Sequence, residues 1–134
     1  MPRLVLWCCC VGGVWVALCS SAVASEQTKA EQTFQVFCKN WIQTLNSYAR
    51  NNITCEQHGD LFVAEYTISD DNMSTEVKQA GKSPACFVGT LRYREKTYQS
   101  CSQDRSRALQ GPYLLARESN VTQIFLYKNG RWEY

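Results

Sequence analysis

A chain of 134 residues, 45% hydrophobic and 19% charged, is suited to one globular domain with its own core, not a disordered tail or a repeat array. Its 14 basic and 12 acidic side chains leave a formal charge of +2, too little to draw the whole surface toward nucleic acid or an anionic membrane. A single histidine, no Cys-x-x-Cys beyond residue 24 and no G-x-x-x-x-G-K loop argue against zinc and phosphate-cofactor chemistry, so no metal or cofactor is expected.

The first element in chain order is a leader. Arg3 supplies a positive start, and Leu4 to Leu18 is apolar or cysteine apart from Gly12 and Gly13. That run has the length of a signal-peptide core and is short for a membrane span. Ala22-Val23-Ala24 places small residues at both recognition positions, which predicts a signal peptide over 1–24 cut after Ala24. Two alternatives are an uncleaved anchor and a bacterial lipoprotein acylated at Cys19, although Leu18 is large for the residue before a lipidated cysteine. Residues 25–134 then form a single domain with 13 basic against 12 acidic side chains and no further run able to span a bilayer. The expected location is exported, either periplasmic or extracellular.

The leader takes Cys8, Cys9, Cys10 and Cys19 with it, leaving Cys38, Cys55, Cys86 and Cys101. An even number of dispersed cysteines behind an export signal reads as two disulfides. The expected pairing is Cys38–Cys86 with Cys55–Cys101; the rival is Cys38–Cys55 with Cys86–Cys101.

Thr28 followed by Glu31 fits a capping box that would start a helix. Phe34, Phe37, Cys38, Trp41, Leu45 and Tyr48 follow at steps of three and four, an apolar stripe that predicts a helix ending near Arg50-Asn51-Asn52. Beyond it the pattern changes to period two. Strands are expected at 53–57 and 61–68 around the turn His58-Gly59-Asp60, with Phe62, Ala64, Tyr66 and Ile68 on one face. A short edge strand is expected at 75–79 and a loop at 80–84. A long strand follows at 85–98, with Phe87, Gly89, Leu91 and Tyr93 facing one way and Val88, Thr90, Arg92 and Arg94 the other. Gly89 would mark a bend or bulge there. After a break over 100–112, strands at 113–118 and 121–127 lead to Asn129-Gly130, a strong hairpin signal, and a last strand at 131–134.

The expected fold class is α+β: one amphipathic N-terminal helix packed on a curved antiparallel sheet of five to six strands. This order of elements resembles the cystatin-like and nuclear-transport-factor-2-like α+β rolls. The tail from Ile124 to Trp132, an aromatic strand followed by a glycine turn and a tryptophan, is similar to the closing hairpin of many members of the latter. Those members usually carry two or three helices before the sheet, and this chain has room for one. The Gln-x-Val-x-Gly and Pro-Trp loops of inhibitory cystatins are absent, so the resemblance does not imply protease inhibition. The segments Phe37–Trp41 and Cys86–Glu95 also resemble small exported bacterial proteins of unassigned function, which implies a periplasmic setting.

Site candidates are few. His58 and Asp60 sit in a turn, where polar residues are ordinary, so no catalytic residue is assigned. Arg92, Arg94 and Lys96, with Arg105 and Arg107 in the loop beyond, are a candidate anion-binding patch; the competing role is cross-strand pairing with Glu65, Glu118 or Glu133. Trp41, Phe125, Tyr127 and Trp132 are candidates to line a helix–sheet cavity, the usual ligand site in nuclear-transport-factor-2-like folds; the competing role is filled core. Asn52, Asn72 and Asn120 head Asn-x-Ser/Thr sequons, glycan acceptors if the host is eukaryotic. The leading functional expectation is a non-enzymatic exported binding or accessory protein with a protein or small-molecule partner. The alternatives are a small nuclear-transport-factor-2-like enzyme with an acid/base pair in the cavity, and a glycosylated structural domain.

Overall fold

The computed structural model describes residues 19–82 and 86–134. The charged start and most of the leader, with Cys8, Cys9 and Cys10, lie outside the described residues, as does part of the loop at 80–84. The elements run α1 (Cys19–Asn51), β1 (Thr54–His58), β2 (Leu61–Ser69), β3 (Ser74–Gln79), β4 (Phe87–Ser102), α2 (Arg105–Gln110), β5 (Leu114–Lys128) and β6 (Arg131–Glu133). The architecture is α+β, with one long helix on a curved antiparallel sheet of six strands.

Helix α1 starts earlier than the capping box implies. Thr28 lies inside it, and its hydroxyl donates to the Ala24 carbonyl at 2.9 Å instead of capping. The expected cut after Ala24 therefore falls within α1. The helix ends where the asparagines allow: the Asn52 N–H reaches the Ala49 carbonyl, and its side chain donates to the Tyr48 carbonyl at 2.8 Å. No described helix is long and apolar enough to cross a membrane.

The sheet order is β1-β2-β4-β5-β6, and β3 also pairs with β4. Strand β4 is the spine. Its first half pairs with β3 through Ser74↔Arg92 to Gln79↔Phe87, and its second half pairs with β2 through Ser69↔Glu95 to Phe62↔Ser102. Strand β5 runs along the other side of β4 as one continuous strand where two were expected. The bulge is at Thr97/Tyr98, not Gly89, and it lets a long ladder curve without breaking. The β5–β6 turn has positive φ at both central residues, 53° at Asn129 and 77° at Gly130, as a type I′ hairpin requires.

The helix-facing side of the sheet carries Phe87, Gly89, Leu91 and Tyr93 of β4, Phe125 and Tyr127 of β5, and Trp132 of β6. Ala30, Phe34, Cys38 and Ile42 of α1 close onto it, with Phe37, Trp41 and Leu45 at the margin. Tyr48, expected on the stripe, is 69% exposed because α1 has passed the edge of the core there. Gly89 pairs regularly with Val77 and Phe125. A Cβ there would lie 2.5 Å from the Phe34 ring and 2.8 Å from Trp132, so its role is close approach. The Trp132 indole N–H donates to the Ala30 carbonyl and to the Thr33 hydroxyl, both at 3.2 Å, which fixes the last strand to the helix.

The expected loop over 100–112 contains α2. Asp104 caps it, accepting from the Arg107 N–H at 3.0 Å, and Gly111 closes it at φ 85°. Ala108 of α2 is buried, as are Ala64 and Ser100, which lie directly opposite each other in the ladder. Phe62, Ala64, Tyr66 and Ile68 do share a face, but it is the one turned away from α1. Their partners Ser102, Ser100, Tyr98 and Lys96 continue the Arg92–Arg94 side of β4. Helix α1 instead meets the polar face of β2, where Asn46 bonds Ser69 and Leu45 and Ala49 lie near Glu65 and Thr67.

Candidate functional site

The expected helix–sheet cavity is filled. Phe125, Tyr127 and Trp132 are buried, and Trp41 meets the Phe125 ring edge-on at 5.2 Å. Phe34 packs on Trp132 at 4.3 Å, and Tyr127 on Trp132 at 5.0 Å. Interlocked aromatics of this kind are core. The described buried cluster holds no carboxylate and no histidine. Its ionisable groups are Cys38, whose thiol burial pushes up to about 12, and the phenols of Tyr93 and Tyr127.

The expected disulfides are not formed: Cys38, Cys55, Cys86 and Cys101 are free thiols. Register explains why Cys55 and Cys101 do not meet. Cys55 lies opposite Ala64, and Ala64 opposite Ser100, so Cys55 and the Cys101 backbone stand two strand spacings apart, about 9.5 Å. A bridge needs Cα atoms within about 7 Å. Cys101 pairs with Val63, on the opposite face from Ala64. Cys38 is sealed in the core, whereas alternation turns Cys86 to the other side of the sheet from its buried neighbour Phe87.

The expected anion patch is split and charge-matched. Arg92 stands 3.7 Å from Glu76, Arg94 3.7 Å from Glu118, and Lys96 3.8 Å from Asp70. Of the three carboxylates expected as cross-strand partners, Glu118 takes that role; Glu65 accepts from Gln99, and Glu133 pairs with Arg131. The Asn72 backbone N–H, donating to Asp70 at 2.9 Å, and Lys96 beside it hold the Asp70 carboxyl below its usual range. Lys78 and then Arg92 do the same for Glu76. Arg105 and Arg107 are elsewhere, on α2, where Arg105 donates to the Cys55 carbonyl at 3.3 Å.

A depression of ≈ 390 Å³ opens among Arg92, Arg94, Asn120, Thr122, Asp70 and Asn72. Two sequons meet at its rim, since Ser74 and Thr122 both lie opposite Arg92 and Asn120 lies opposite Arg94. Asn52, the third acceptor, is exposed at the end of α1. His58 and Asp60 are exposed around the β1–β2 turn, with Glu56 3.7 Å from the imidazole.

Sequence reasoning missed a second depression on the same face, ≈ 430 Å³, lined by Arg50, Ile53, Tyr66, Ile68, Tyr98 and Tyr113. Tyr66 and Tyr98 are cross-strand partners with rings 5.4 Å apart and nearly parallel at 18°. Tyr113 stands edge-on to Tyr66 at 5.1 Å, held by its hydroxyl donating to the Leu109 carbonyl at 2.8 Å. The available signal was the apolar alternation of β2; what it lacked was the β2–β4 register that sets Tyr98 beside Tyr66. No protein-family model, curated protein or solved structure matches the chain.

Proposed function

We propose that the chain is an exported, non-catalytic binding domain whose ligand surface is the sheet face turned away from α1. The leader motif supports export: a basic start, an apolar run and Ala22-Val23-Ala24. The observation that carries the binding reading is an asymmetry between the two sides of the sheet. The buried cluster under α1 is packed with aromatic rings, while the open face holds depressions of ≈ 390 and ≈ 430 Å³, larger than the ≈ 300 Å³ depression where the end of α1 meets β2. The enzyme alternative needs an acid/base pair in the helix–sheet cavity; the buried cluster holds no carboxylate, and Glu65 and Glu95, which line the depression at the end of α1, have no histidine beside them there.

The glycosylated structural domain is a second reading, supported by exposure of Asn52, Asn72 and Asn120. Glycans on Asn72 and Asn120 would cover the depression around Arg92 and Arg94, so glycosylation and binding at that depression exclude each other. A fragment screen followed by amide chemical shifts tests the binding reading. Shifts should gather on the alternate residues of β2, β4 and β5 that face away from α1. Shifts gathered on Phe34, Phe125 and Trp132 would refute it.

A further inference from the structure

The depression around Tyr66 is lined by three tyrosines, two isoleucines and one arginine. Arg92, Arg94 and Lys96 of β4 each have a carboxylate within 4 Å. Arg50 has none among the described residues, and no carboxylate lines this depression. Arg50 lies in the last turn of α1, where the helix dipole favours a cation. Ile53, one residue before β1, falls opposite Tyr66 when the β1–β2 register is continued, which brings the helix end and the tyrosines together.

The walls are flat and apolar. Two nearly parallel tyrosine rings make one side, the Tyr113 ring stands at 63° to Tyr66, and Ile53, Ile68 and Arg50 complete the lining. Aromatic faces of this kind stack on a planar ring, and a single unpaired guanidinium takes one carboxylate through its fork. One cation is too few for a polyphosphate, and its charge opposes a cationic guest despite the surrounding π faces.

From this we infer that the Tyr66–Tyr98–Tyr113 depression binds a small aromatic carboxylate, its ring against the tyrosines and its carboxylate on Arg50. The inference rests on the open-face reading and names the ligand class for it.

Benzoate, benzamide and acetate titrated into the purified protein, followed by amide shifts, test it. Benzoate should move Ile53, Tyr66, Ile68, Tyr98 and Tyr113 with a dissociation constant on the order of 1–10 mM, as a nine-atom ligand allows. Acetate, lacking the ring, should bind at least tenfold more weakly. Arg50→Gln, a change at an exposed helix end, should weaken benzoate about fivefold or more and leave benzamide unchanged. Equal benzoate affinity in Arg50→Gln, or no shift at 20-fold the upper expected constant, overturns the inference. Benzoate shifts confined to Arg92 and Arg94 overturn it too, while leaving the open-face reading standing.

Discussion

Asn46 of α1 holds both backbone groups of Ser69 at the end of β2: its Nδ2 donates to the Ser69 carbonyl at 2.9 Å, and the Ser69 N–H donates to its Oδ1 at 2.7 Å. A side chain that mimics a neighbouring strand satisfies an edge that β1 leaves free, since β1 pairs only with Leu61 to Glu65 of β2. Because Ser69 is buried, Asn46→Ala leaves a donor and an acceptor without partners. The expected loss is about 1–3 kcal/mol in urea unfolding. A loss within 0.5 kcal/mol would show that water replaces the clamp.

Gly89 sits beneath Phe34 and Trp132 with no room for a methyl group. Both neighbours are buried rings, so neither yields cheaply. Gly89→Ala should cost about 1–3 kcal/mol, although alanine suits a strand better elsewhere. Gly59→Ala, where the surroundings are open but φ is +63°, is a useful contrast: its cost should come from backbone strain alone. A silent Gly89→Ala would mean that α1 stands farther from β4.

The Tyr127 hydroxyl is buried without a hydrogen-bond partner. Tyr127→Phe should therefore keep or raise stability, since it removes a polar group that folding desolvates for no return. Trp132→Phe should instead lose stability by about 1–3 kcal/mol, because its indole N–H bonds Ala30 and Thr33. Denaturant midpoints of the two variants give the comparison, and a fall in stability for Tyr127→Phe would contradict the packing described.

Burial raises the Cys38 thiol from 9.0 to about 12. A thiol that holds its proton more tightly in the folded state contributes fully below pH 9 and loses that contribution as pH rises toward 12. The total is on the order of 4 kcal/mol. Burial, and then Glu95, raises Tyr93 as well, adding to the same alkaline loss. Cys38→Ala should flatten the stability profile across this window. In native protein, a thiol reagent should modify exposed Cys101 rapidly and Cys38 only on unfolding. A Cys38–Cys86 peptide in unreduced protein would contradict the free-thiol state.

Local patterns in the sequence carried much of the fold. The 34–45 stripe, the alternation over 87–94 and Asn129-Gly130 each specify an element through short-range spacing, and each element is present. Long-range register was less accessible. Tyr66 reads as an apolar strand residue in any pairing, and only the match of Tyr66 to Tyr98 turns it to the open face. The short α2 was missed because its signals are one cap at Asp104 and one buried contact at Ala108. The disulfide expectation failed for the same reason as the tyrosine depression: cysteine count carries no information on which face each strand presents.

The most direct test is a crystal of the protein soaked in 4-bromobenzoate, with the bromine located by anomalous scattering. The account predicts a peak between Tyr66, Tyr98 and Tyr113 with the carboxylate toward Arg50. A peak between Trp41, Phe125 and Trp132 would place the ligand site inside the helix–sheet layer and contradict it.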